Sequence, residues 1–207
     1  MTSIFSLFGH GIFLLALILF IVQAKRWGKY WPLAYVLAAI MVVLPVKDWL
    51  VIEFSRGYFS DLSMTTIIMC SVYIMNVAGA RRLTSSNELK YSVLALATVL
   101  YPLTLGLSML DPYALGFSSH SFYPLMVSSL AVIAFVAWYF SVWQLALVLS
   151  LTLLANGLSV YESNNLWNYL IDPIAVIMCL VSLIYGHIGS VSKKFINKIN
   201  DKVQSDV

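Results

Sequence analysis

The sequence predicts an all-α membrane protein, a compact bundle of about seven transmembrane helices with the N-terminus outside and the C-terminus in the cytoplasm. Three observations carry this. Of the 207 residues, 61% are hydrophobic and only 10% are charged, whereas a soluble domain has about 25% charged residues. Apolar runs near the roughly 20 residues that span a bilayer recur along the chain. The basic residues fall on alternate loops, as the positive-inside rule requires of a polytopic protein.

The runs lie at roughly 4–23, 30–46, 63–80, 91–110, 122–140, 143–160 and 172–190. The first ends Val22-Gln23-Ala24, loosely like a signal-peptidase site. No basic segment precedes it and Lys25 and Arg26 follow it, so a retained first helix is expected. Trp49, Leu50, Val51 and Ile52 form a patch too short to span, and it is expected along the interface. In the fourth run, Pro102 should kink the helix and free a carbonyl near Thr98. Residues 1–191 thus form one transmembrane domain and 192–207 a basic cytoplasmic tail. In the tail Phe195, Ile196 and Ile199 alternate with lysines, which fits either an amphipathic helix on the inner leaflet or a solvated segment.

Orientation follows from the cations. Lys25, Arg26, Lys29, Arg81, Arg82, Lys90, Lys193, Lys194, Lys198 and Lys202 are cytoplasmic if the N-terminus is outside, leaving only Lys47 and Arg56 on the outer face. Trp27, Trp31, Trp49, Trp138, Trp143 and Trp167 all fall near the expected interfaces, where an amphipathic indole is favoured. Six acids, Asp48, Glu53, Asp61, Asp111, Glu162 and Asp172, then gather outside, against Glu88, Asp201 and Asp206 inside.

These outer acids have two readings. Asp111-Pro112 and Asp172-Pro173 place an acid before a proline, the arrangement of a helix N-cap with proline at the first helical position. Asp172 would cap the last helix, and Asp61 or Ser60 the third, where a carboxylate also meets the positive end of the helix dipole. Alternatively the acids form a site. Asn156, Ser159 and Glu162 recur at i, i+3 and i+6, one polar strip if the sixth helix runs to its expected end. The stretch Tyr161–Pro173 is the densest polar segment between two apolar runs, and Asn164, Asn165 and Asn168 lie between Glu162 and Asp172. Such hard oxygen ligands suit a divalent cation such as calcium or magnesium. The other reading of the same loop is a hydrogen-bonded cap over the outer end of the bundle. Ser63, Thr65, Thr66, Asn76, Thr98, Thr104 and Ser108 are expected mainly as interhelical glue, with a solvated path into the membrane as the alternative. His10 and His120, both on the outer half, are accessory candidates beside Lys47 and Arg56.

Catalytic signatures are absent: there is no G-x-S-x-G elbow, H-E-x-x-H, P-loop or dinucleotide fingerprint. The last run holds no lysine for a retinal Schiff base. Cys70 and Cys179 sit in apolar runs and read as small buried hydrophobes. No cofactor is evident, and the clustering of charge at helix ends argues against a nucleic-acid partner. The partners to expect are the lipid bilayer and a membrane or periplasmic protein.

Three segments, G-Y-F-S-D-L-S-M-T-T at 57–66, D-P-Y-A-L-G at 111–116 and E-S-N-N-L-W-N-Y-L-I-D-P at 162–173, resemble a group of small, uncharacterised multi-pass inner-membrane proteins of proteobacteria. The resemblance implies a compartment, the bacterial inner membrane, and no chemistry. The leading functional expectation is a non-enzymatic subunit or accessory factor whose acidic outer face binds a partner or cation. The alternatives are an enzyme acting on a lipid or lipid-linked glycan at the outer leaflet, and a small-solute or cation transporter.

Overall fold

The computed structural model describes residues 4–46, 49–79, 87–102 and 111–188. These residues are overwhelmingly helical, in keeping with an all-α class. The elements are α1 (Ile4–Ile21), a 3-10 turn (Ala24–Tyr30), α2 (Trp31–Val43), a two-residue antiparallel ladder (Pro45–Val46 with Trp49–Leu50) and α3 (Val51–Phe59). There follow α4 (Met64–Val77), α5 (Asn87–Pro102), a 3-10 turn (Ala114–Gly116), α6 (Tyr123–Tyr139), α7 (Trp143–Gly157), α8 (Leu166–Leu170) and α9 (173–188). Lys47, Thr104, Ser108 and the tail 192–207 lie outside the described residues.

Among the described residues two stretches, Ile4–Ile21 and Leu166–Ile188, are long and apolar enough to cross a membrane. The second is interrupted at 171–172, where Ile171 is extended. Only 28% of each is buried inside the molecule. A core helix of a soluble protein would be mostly buried, so these apolar surfaces face outward. The same holds elsewhere, with Leu33, Val36, Ile40, Leu125, Val132 and Phe135 all exposed.

The remaining apolar helices are shorter than their sequence runs, for local reasons. α2 stops at Val43 because Leu44 precedes Pro45 and is driven to an extended conformation. α4 stops at Val77, and Gly79 follows at φ +91°. α7 stops at Gly157, not at 160, and Ser159 takes φ +50°. The expected interfacial patch becomes part of a hairpin leading into α3, whose Phe54 and Tyr58 remain exposed. α5 is described as far as Pro102, so the expected kink falls at the edge of the described residues.

α6 packs against α7, and α1 against α2, α3 and α4. The main core joins Ile68 and Met69 of α4, Leu89, Val93, Ala97 and Leu100 of α5, Leu130 and Ala134 of α6, and Val148 and Leu149 of α7. Leu166 and Leu170 of α8, Ile171 after it, and Ala175 and Cys179 of α9 complete it. Cys70 and Cys179 are free, buried and set against Met178 and Met69 sulfurs, which suits the apolar role expected of them.

α8 is one and a half turns of helix inserted among the ends of the longer helices. Its last carbonyls have no partner within the helix. The Thr65 hydroxyl donates to Leu170 O at 2.5 Å and the Thr152 hydroxyl to Tyr169 O at 3.4 Å. Both threonines are buried, so these bonds act as the glue expected of Thr65. Thr65→Val keeps the shape and strands the Leu170 carbonyl. Its expected cost is about 1–3 kcal/mol, read as a lower thermal midpoint of the detergent-solubilised protein; Ser71→Ala, whose hydroxyl bonds only to Ile67 O in its own helix, serves as the near-neutral comparison.

Candidate functional site

The starts of α1, α4, α6 and α9 meet the ends of α5 and α7 at one end of the bundle. Ser6 of α1 donates to Asp61 Oδ1 at 2.5 Å, just before α4. The Tyr123 hydroxyl at the start of α6 donates to Asn156 Oδ1 near the end of α7. Leu100 and Tyr101 of α5 lie against the same cleft as Asp61 and Asp172. At the opposite end the Tyr35 hydroxyl, early in α2, donates to Ile74 O, late in α4.

Asp172 holds two helices together. Its Oδ1 accepts from Ala175 N–H at 2.6 Å, the N-cap bond expected for the last helix. The same oxygen accepts from the Thr66 hydroxyl at 2.7 Å, and Oδ2 accepts from Ser63 N–H at 2.7 Å. One carboxylate therefore serves the N-terminal turns of both α4 and α9, where the helix dipoles favour negative charge. The cap of α4 is neither Asp61 nor Ser60 but Ser63, whose hydroxyl oxygen accepts from Thr66 N–H at 3.2 Å.

Asp61 faces Arg56 instead, with Nε 3.6 Å from Oδ1. Arg56 also reaches Glu162, Nη2 to Oε1 at 3.4 Å, but the Glu162 side chain is 65% exposed and that pair contributes little. Two carboxylates, those of Asp61 and Glu162, thus share one guanidinium. His10 is fully buried beside them. Its Nε2 lies 2.6 Å from Ser60 O and its Nδ1 3.1 Å from Ser55 Oγ. A carbonyl only accepts, so Nε2 carries the proton and both ring nitrogens are engaged.

Asp61 and Asp172 open on a cleft of about 450 Å³. Phe59, Tyr101, Tyr113 and Trp167 supply its aromatic lining and Ser60, Ser163 and Asn168 further polar groups. The loop 161–172 builds one side. Asn165 is fully buried, accepting from Trp167 N–H at 3.0 Å and donating to Tyr113 O at 3.0 Å. Asn168 accepts from the Tyr113 hydroxyl and donates to Ser163 Oγ, both at 2.7 Å. The Trp167 indole N–H donates to Pro112 O at 2.9 Å. Tyr161 and Tyr169 stack at 4.8 Å between centroids, and the Tyr161 hydroxyl donates to Leu62 O at 2.7 Å. Burial pushes the Tyr161 phenol well above its ordinary pKa, so it remains a neutral donor.

The sequence-predicted residues divide accordingly. Asp61, Asn168 and Asp172 line the cleft, and Arg56 and His10 stand directly behind Asp61. Glu162 reaches Arg56 without lining the cleft. Asn156, Ser159 and Glu162 do not form a helical strip: α7 ends between the first and second, and Ser159 turns the chain with positive φ. Asn164 is exposed and contributes its carbonyl to Ser118 N–H. Asp111 accepts from Tyr113 N–H at 3.0 Å in a local turn, so it shapes the loop that carries Tyr113. His120 accepts from Phe122 N–H and does not line the cleft.

The oxygens expected for a divalent cation have other work. Both Asp172 oxygens accept protein hydrogen bonds, as do the Asn165 and Asn168 amide oxygens, while Glu162 pairs with Arg56. Among the described residues no three His, Cys, Asp or Glu side chains are grouped to hold a metal ion. These contacts tie the 161–172 loop to the starts of α4 and α9 and to the 111–113 turn. Ser6, Tyr101, Tyr113, Ser163 and Trp167 were not among the sequence candidates for the cleft. For Trp167 and Ser163 the polar stretch that contains them was a signal; a lone serine in an apolar run, such as Ser6, offers none.

No protein-family model matches the chain, no curated protein matches it in sequence, and no solved structure matches its fold.

Proposed function

We propose that this is a multi-pass protein of the bacterial inner membrane with seven spanning segments, acting without catalysis as a subunit or accessory factor that receives a cationic group in the Asp61–Asp172 cleft. The single observation that carries the binding role is the cleft itself. Two fixed carboxylates face an aromatic-walled space, and a guanidinium touches only one of them. Aromatic faces and carboxylates together suit a cation.

Several features support the wider reading. α1, α2, α4, α5, α6, α7 and α9 alternate in direction, as their end-to-end contacts require. With the sequence's positive-inside bias, the cleft lies on the outer side. Against an enzyme, both His10 nitrogens are engaged and both described cysteines are packed on methionine sulfur. Against a transporter, the acids of the site stand at helix starts and in loops, not midway along a span.

Purification of the full chain at native expression level in mild detergent, with wild type beside Asp61→Asn and Asp61→Lys, tests this. Wild type is expected to retain a stoichiometric protein, amine or cation that both variants lose by about tenfold or more. Asparagine still accepts from Ser6, so Asp61→Asn should remain monodisperse and folded, and it is the variant that decides the test. Equal retention by all three, or nothing retained by wild type, overturns the binding role.

A further inference from the structure

A second cavity, of about 320 Å³, lies between α1 and α3. Phe13, Leu14, Leu17, Phe54, Tyr58 and Phe59 line it, and it exposes no polar surface. Phe59 lines the acidic cleft as well. One ring therefore separates a wholly apolar groove from a cleft holding two carboxylates. The groove follows α1 away from the cleft. Ser6 stands level with Asp61, and Leu17 lies 11 residues further along the helix, about 16 Å at 1.5 Å per residue. That is the dimension of an acyl chain running into the bilayer from a headgroup at Asp61.

Charge selects the headgroup. Arg56 stands beside Asp61 and Glu162, so the region offers both an acidic surface and one guanidinium. An anionic headgroup would meet the carboxylates unfavourably. A quaternary ammonium matches the charge but has no N–H to donate. A primary ammonium next to a phosphodiester matches both: its N–H groups suit Asp61, with the Asp172 charge close by across the cleft, and its phosphate suits Arg56. Both contacts of Asp61 noted above are to Oδ1, and Oδ2 is the oxygen such an ammonium would meet.

We propose that the cleft and groove together hold one outer-leaflet phospholipid with a primary-ammonium headgroup, its ammonium on Asp61 in the cleft and one acyl chain along α1. This rests on the cation-binding reading of the cleft and names its ligand. The test uses the full chain in detergent, with native mass spectrometry and thermal midpoints after addition of phosphatidylethanolamine, phosphatidylglycerol or phosphatidylcholine. Water-soluble glycerophosphoethanolamine, which has no chains, is the fourth probe. Wild type is expected to retain phosphatidylethanolamine about tenfold over the other two lipids. Asp61→Asn brings the ratio close to one. Leu17→Trp, which fills the groove, lowers phosphatidylethanolamine retention without altering any response to glycerophosphoethanolamine. Equal retention of the three lipids by wild type, or an unchanged preference in Asp61→Asn, overturns the proposal. If glycerophosphoethanolamine protects as well as the lipid and Leu17→Trp has no effect, the lipid assignment falls while the cation-binding cleft stands. If no ammonium compound binds, both fall.

Discussion

Asp172→Ala is expected to lower the unfolding free energy by about 3–5 kcal/mol. Its carboxylate accepts three protein hydrogen bonds, from Ser63 N–H, the Thr66 hydroxyl and Ala175 N–H. Hydrogen bonds to charged groups contribute about 1.5–3 kcal/mol each, and loss of an N-cap alone costs about 0.5–2 kcal/mol. The sum is moderated because water can reach a half-buried site and replace part of what is lost. α9 loses its cap and the first turn of α4 loses two supporting bonds, so α4 and α9 should loosen together at the end that carries the cleft. Asp172→Asn keeps one acceptor oxygen and is expected to lose about half as much. Thermal unfolding in detergent, with hydrogen exchange at residues 63–66 and 173–176, checks both statements. A change confined to α9 would show that the carboxylate does not join the two helices. Glu162→Gln is the contrast, with an expected effect within about 1 kcal/mol because its ion pair is solvent-exposed.

Gly116→Ala is the second large effect, expected at about 2–4 kcal/mol. Gly116 is buried in the 3-10 turn that follows Asp111 and Tyr113. An added Cβ would stand 2.5 Å from Trp167 Cδ1, 3.0 Å from Asn165 Cγ and closer still to Asn165 Oδ1. Neither neighbour can yield cheaply. Asn165 is held by Trp167 N–H and Tyr113 O, and Trp167 by Pro112 O. The methyl group must separate the 111–118 loop from the 163–168 loop, and the cleft loses its Trp167 wall. The expected signature is a lower thermal midpoint together with weaker ligand retention. Gly157→Ala meets nothing within 4 Å of the added carbon and should leave both unchanged.

The all-helical class and the positions of the apolar helices were legible because apolar composition and run length act over long windows. The helix ends were less so. The sequence extends the sixth run to residue 160, but Asn156-Gly157 is itself a turn signal, and the chain leaves the helix there. That single stop removes the Asn156–Ser159–Glu162 strip. The Asp172 cap was legible because an aspartate before proline has a local meaning. The Ser63 N–H and Thr66 contacts to the same carboxylate were not, since they join residues 109 and 106 apart in sequence. The cleft shows the same division. Asp61, Asn168 and Asp172 stand out as polar groups near apolar runs. Tyr101 and Tyr113 reach the cleft through packing alone, and periodicity carries no sign of it.

The carbonyls at the end of α8 also set an order in time. Tyr169 and Leu170 direct them at Thr152 of α7 and Thr65 of α4, and a buried carbonyl left unmet costs about 1–3 kcal/mol. The 166–171 segment has little reason to settle among the other helices before those two hydroxyls are in place. Biogenesis should therefore proceed in two stages, with the earlier helices assembled first and the last segment docking onto them afterwards, completing the polar end of the bundle as its final step.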